Sequence, residues 1–158
     1  MGIFNRHHER TDASPDEPSE RILELNPAEV AWMEDLRRAL PAGAAGDVAV
    51  LGRLFDESLD AWEAMPAGER PDPNLVINAI GVAAGDMVLA RVPTARWLAV
   101  SDEGGHELAV VAGPAHPDSP RIVPLHAVGR RWSEGAREWL PGYVDAAATR
   151  LVELTAAP

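Results

Sequence analysis

A chain of 158 residues with 46% hydrophobic and 25% charged residues has the composition of an ordinary globular protein, long enough for one domain with a sizeable core. Its 25 acids stand against 14 basic residues, all arginine, for a formal charge of −11. Such a field repels nucleic acid and anionic lipid surfaces but attracts a basic protein, and the absence of cysteine excludes disulfides and thiol catalysis.

Residues 1–20 hold two prolines, two histidines and several acids, with almost no apolar residue after Phe4. Such a segment cannot offset its own ordering entropy and is expected to be a disordered acidic tail. His7, His8 and Glu9 within it form at most a weak chelating group without fixed geometry. The opening MGIFNRHHER lacks the apolar core of a secretory signal, and Arg6 stands where a myristoylation pattern needs Ser or Thr, so the expected location is the cytoplasm. Residues 21–158 read as one α+β domain, with a helical part at 21–91, a β-meander at 92–128 and a C-terminal helical part at 129–158.

The first helix is expected to start at Asn26-Pro27-Ala28-Glu29, where Asn caps, Pro occupies the first turn and Glu reaches back as in a capping box. Val30, Met33, Leu36 and Leu40 form its buried stripe. A second helix over about 47–65 turns Val48, Leu51, Leu54, Phe55, Leu59, Trp62 and Met65 to one face. After the loop PAGERPDP, Asp72-Pro73 opens a third helix running to about Arg91 that is apolar on nearly every side. Asn78 and Asp86 interrupt its apolar run, so it reads as the central buried helix and not as a membrane span. Gly81, Ala84 and Gly85 share one side of it. Glycine costs a helix roughly 1 kcal/mol relative to alanine, so another backbone, most simply the following sheet, should approach there.

RWLAVSDEGGHELAVVAG, residues 96–113, reads as a β-hairpin about Glu103-Gly104 that pairs Trp97 with Val110, Leu98 with Ala109, Ala99 with Leu108 and Ser101 with His106. Both faces are apolar near its base, so both should be covered. A third strand is expected at 121–125, with Pro124 marking an edge or an end. The terminal helix should span about 137–153, with Pro141 able to split it. The fold class is therefore α+β, N-terminal helices and a C-terminal helix packed with a small three-stranded antiparallel meander.

Few residues are placed to do chemistry. Asp102, Glu103 and His106 around the hairpin turn would suffice for metal binding or acid–base work, although tight turns use Asp and Gly for their own geometry. His116 and His126 could join His106 only if loop 113–120 folded over the sheet, and their spacing matches no metal-ligand pattern. Asp56, Asp60 and Glu63 fall on one helical face, as a solvated face or as a docking surface for a basic partner. GRRWSEGAR gathers Arg130, Arg131, Trp132 and Arg137, the composition of an interface hot spot, with inward packing of Trp132 as the alternative. Phosphate loops, dinucleotide fingerprints, nucleophile elbows and paired-histidine zinc helices are all missing, and no metal or cofactor is expected.

The helix AIGVAAGD at 79–86, the strand and turn WLAVSDEGG at 97–105, and VPL at 123–125 followed by an arginine-rich segment together resemble an uncharacterised bacterial family, domain of unknown function 3806. The resemblance covers roughly Leu75 to Leu154. It implies the architecture and transfers no catalytic residue. The expected function is a non-catalytic protein-binding module of the cytoplasm, an immunity-like, adaptor or accessory factor whose partner is another protein and not nucleic acid or membrane. The alternative is a small enzyme or a metal- or ligand-binding domain centred on the hairpin turn.

Overall fold

The computed structural model describes residues 20–156. The tail expected at 1–20, with His7, His8 and Glu9, lies outside the described residues except for Glu20. The elements run β1 (Arg21–Leu23), α1 (Pro27–Ala39), α2 (Val48–Glu63), α3 (Asn74–Leu89), β2 (Ala95–Asp102), β3 (Gly105–Ala112), β4 (Arg121–Ile122), α4 (Pro124–Ser133) and α5 (Leu140–Ala156), with one 3-10 turn at Ala67–Glu69.

The fold is α+β, and among the described residues its sheet has four antiparallel strands in the order β1-β2-β3-β4, not three. The additional strand, β1, pairs Arg21, Ile22 and Leu23 with Ser101, Val100 and Ala99. Three residues carry no alternation of their own, so only the neighbouring edge of β2 makes them a strand. The β2–β3 register is the expected one, from Trp97 opposite Val110 to Ser101 opposite His106. At the other edge β4 stops after two residues, and Pro124 opens α4 instead of ending a longer strand. Proline lacks the N–H that a first helical turn leaves unpaired, so a helix start suits it as well as a strand end. Pro141 likewise sits in the first turn of α5 and does not split it.

The capping box of α1 forms as its sequence implies, Asn26 Oδ1 accepting from Glu29 N–H and Glu29 Oε2 accepting from Asn26 N–H. Asp47 caps α2 through the N–H groups of Ala49 and Val50. Leu51, Phe55 and Leu59 on α2 are fully buried, each contributing roughly 1.5–3 kcal/mol of hydrophobic stabilisation. Val30 on α1 and Met65 beyond α2 were expected inside but are 41% and 42% exposed.

Helix α3 is the centre of the molecule and packs against α1, α2, α4 and α5. Its glycines are used for close approach to two different elements. A Cβ at Gly85 would lie 2.2 Å from Trp97 Cζ2 on β2, whereas one at Gly81 would lie 2.8 Å from the Cα of Leu125 on α4, so the sheet is the neighbour of only one of them. The indole of Trp97 cannot swing aside freely, because its Nε1–H donates to Asp86 Oδ1 at 2.9 Å. Asp86 also receives both nitrogens of a bidentate Arg37 fork at 2.7 and 2.9 Å, which ties α1, α3 and β2 to one carboxylate.

Gly85→Ala is therefore expected to lower the unfolding free energy by about 1–3 kcal/mol, overpacking outweighing the roughly 1 kcal/mol that alanine adds to a helix. Gly129→Ala on α4, whose Cβ would meet nothing nearer than Ile77 Cγ2 at 3.7 Å, should keep that helical gain. Urea denaturation of the two variants followed by tryptophan fluorescence checks this; a stabilised Gly85→Ala protein would refute the close contact.

Candidate functional site

The hairpin turn does not gather the three side chains its sequence suggested. Asp102 Oδ1 accepts the backbone N–H groups of Gly104 at 2.7 Å and Gly105 at 3.0 Å, so this carboxylate shapes the turn. Glu103 is exposed at the tip. His106 instead crosses to α1, where its Nε2 lies 2.5 Å from Glu29 Oε1. Glu29 thus uses one oxygen to cap α1 and the other to hold the hairpin. Burial would raise the pKa of its carboxyl, but the Asn26 N–H and the His106 contact outweigh burial and hold it below the ordinary value of 4.5. His126 on α4 sits 3.5 Å from Glu107 on β3, and His116 faces Asp118 in its own loop, so the three histidines do not converge. Among the described residues no group of three or more His, Asp or Glu side chains is placed to hold a metal ion.

Beside the His106–Glu29 contact opens a groove of about 1040 Å³, bounded by the start of α1, the end of α2, the first turns of α3, the start of β3 and one side of α4. Trp32, 40% exposed, stands on one wall. On another wall Trp62 donates its Nε1–H to Pro71 O at 2.8 Å, and the Arg70 guanidinium lies over its ring at 4.6 Å. Arg70 is itself held by the carbonyls of Met65 and Glu63. Asn74 and Asn78, one turn apart on α3, line the groove with His106, Glu107 and His126. Neither amide has a side-chain hydrogen bond among the described residues, so each offers a donor and an acceptor. An apolar pocket of about 460 Å³, lined by Leu40, Leu54, Met65, Leu75 and Val76, adjoins the groove and shares Trp62, Pro73 and Trp132 with it.

The patches singled out from sequence meet through Arg137. Trp132 is 5% exposed and meets Phe55 and Trp62 edge to face, with ring centroids 5.7 and 5.8 Å apart. Arg130 and Arg131 both reach Glu134. Arg137 donates to Asp60 and Glu63 at 2.6–2.9 Å, and Asp56 accepts the backbone N–H of Glu138 at 3.3 Å. The carboxylate ladder of α2 therefore clamps the α4–α5 linker, where Glu138 adopts a left-handed φ of 56°. Trp32, Trp62, Asn74 and Asn78 were not singled out as site residues. The available signal was that Asn78 interrupts an apolar helix and Trp32 falls off the buried stripe of α1.

A family model described as a domain of unknown function, DUF3806, matches residues 50–143, more than half of the chain. The chain belongs to this family. The matched region starts earlier than the resemblance at Leu75 suggested and takes in most of α2 together with α3, the hairpin, α4 and the first turn of α5. In this DUF3806 protein Glu29 and Trp32 lie outside the match, so the groove joins the family region to an α1 that precedes it. No curated protein and no solved structure matches the chain. Among the described residues no helix is long and apolar enough to cross a membrane.

Two titrations follow from the geometry. With its carboxyl ionising below the ordinary value, Glu29 stabilises the folded state above about pH 4.5, and that contribution is lost as pH falls through the lowered pKa. Denaturation curves taken from neutral to acid pH should show wild type losing more stability than Glu29→Gln; equal slopes would mean that the carboxylate does not brace the hairpin. Burial pushes the hydroxyl of Tyr143, the single tyrosine, up to about 12. Absorbance titration of the folded protein should place its midpoint near that value, with stability falling as pH rises from 10 toward 12, and a midpoint near 10 in the folded protein would contradict this burial.

Proposed function

We propose that this DUF3806 protein is a non-catalytic binding module of the bacterial cytoplasm, and that its groove receives an extended segment of a partner protein. The observation that supports this reading best is the continuity of the two concavities through Trp62, Pro73 and Trp132. Small-molecule sites are typically 300–1,000 Å³ and enclosed. Here an open groove of about 1040 Å³ runs into an apolar pocket, a shape suited to a chain that seats one apolar side chain and lies on along the polar part. Asn74 and Asn78 can each pair with both the N–H and the C=O of an extended backbone, and the exposed Trp32 supplies aromatic surface of the kind that anchors interfaces.

Binding is favoured over catalysis by where the polar groups are spent. Asp102 is committed to the turn and His106 to Glu29, so no nucleophile–base–orienter chain stands at the tip. It is favoured over docking on the acidic helix face because Asp56, Asp60 and Glu63 already hold the linker. The net charge disfavours nucleic acid and anionic membranes as partners and favours a basic protein.

A random peptide display library panned on the full chain should enrich sequences with an apolar anchor, and their binding should fall at least tenfold in Trp32→Ala and in Asn78→Ala. The same peptides should bind Arg130→Glu normally. Enriched peptides indifferent to both groove variants, or none enriched, would overturn the groove as the receiving surface.

A further inference from the structure

The outer edge of β3 is paired over only part of its length. Strand β4 sets Ile122 opposite Val110 and Arg121 opposite Val111, and the chain then leaves the sheet as Pro124 opens α4. In an antiparallel strand successive residues direct their N–H and C=O groups alternately to the two neighbouring strands. Ala112 N–H donates outward, to Pro120 O at 2.9 Å, whereas Gly113 N–H donates inward, to Thr94 O at 3.0 Å. Counted back by twos from Ala112, the main-chain groups of Val110, Leu108 and His106 also point outward. Val110 meets β4, but among the described residues no strand lies beyond Leu108 and His106.

That unpaired stretch forms one wall of the groove. His106, Glu107 and Leu108 line it from β3, and Val123, Leu125 and His126 line it from the segment that has turned away. His106 and Leu108 lie on the face that looks toward the helices, where His106 reaches Glu29 and Leu108 shares an apolar cluster with Met33 and Leu36. Glu107, between them, projects to the other face and is exposed. Glu29, Glu63 and Glu107 line the groove against one arginine, Arg70, whose guanidinium already lies over Trp62.

We propose that the partner's extended segment adds to the edge of β3 at Gly105–Ala109 as a further strand, in the place a longer β4 would take, and that this segment is basic. The pairing rests on the groove being the receiving surface. A strand edge with unpaired N–H and C=O groups is a template for another extended chain, which gains affinity from main-chain bonds and specificity from alternate side chains. Side chains opposite His106 and Leu108 turn into the groove, and the one opposite Glu107 stands beside its carboxylate. A lysine or arginine suits that position, and the net charge of −11 favours a basic segment while disfavouring a second copy of this chain.

The probe is a peptide enriched by display on the full chain, synthesised as a series with one backbone nitrogen methylated at a time, since the methyl group removes the donor that strand pairing needs. Affinity is expected to fall several-fold at alternate residues only. In the isotope-labelled full chain the amides of His106 and Leu108, fast to exchange when the protein is free, should slow several-fold in the complex. Glu107→Lys should also weaken the peptide several-fold. A peptide that still depends on Trp32 but shows no alternation, leaves the His106 and Leu108 amides unchanged or ignores Glu107→Lys would overturn strand addition and leave the groove in place. Slow exchange at those two amides in the free protein would overturn it as well, by showing the edge already paired. Peptides indifferent to Trp32→Ala, or none enriched, would remove the groove and this pairing together.

Discussion

The constraint on which the rest of this structure depends is the contact between a helix without side chains at one point and a tryptophan that cannot leave. Gly85 lets the Trp97 ring reach the backbone of α3, and the next residue, Asp86, takes the indole N–H and the Arg37 fork on the same carboxylate. Because α3 also touches α1, α2, α4 and α5, fixing its distance from β2 fixes the frame of the domain. The arrangement half-buries polar groups at a crowded position but leaves each of them partnered, the condition under which such a network specifies one packing instead of several. Gly81 does the same service for α4, bringing Leu125 against the helix so that α4 can form a groove wall.

Local rules were enough for much of this. The capping box, the hairpin register and the Leu51–Phe55–Leu59 part of the α2 stripe depend on neighbours close in sequence or on alternation within one strand, and they appear as read. β1 was not legible because three residues have no pattern, and their pairing is decided by an open strand edge 76–80 positions away. Pro124 was ambiguous for a different reason, since a missing N–H is tolerated both at the end of a strand and in the first turn of a helix.

The site was less legible than the fold. His106 was visible as a titratable side chain at a turn, but its partner is 77 residues away, on a glutamate whose visible role was to cap a helix. The carboxylate ladder and the arginine-rich segment each looked like a surface awaiting a partner, but Arg137 of the segment reaches Asp60 and Glu63 of the ladder, while Arg130 and Arg131 reach Glu134. What is left open to solvent is the less conspicuous set, two tryptophans and two asparagines, which composition alone does not distinguish from ordinary surface.

Glu29 has two tasks at once, and this joins events that are otherwise far apart. Its Oε2 closes the first turn of α1, while its Oε1 holds the hairpin that forms one rim of the groove. Anything that draws His106 outward removes one of two supports from that carboxylate, loosening the turn it caps. By thermodynamic reciprocity, a firmer helix start tightens the rim. The degree of fraying at Asn26 is then a gauge of how wide the mouth stands, so that the end of a helix on the periphery reports the state of the groove.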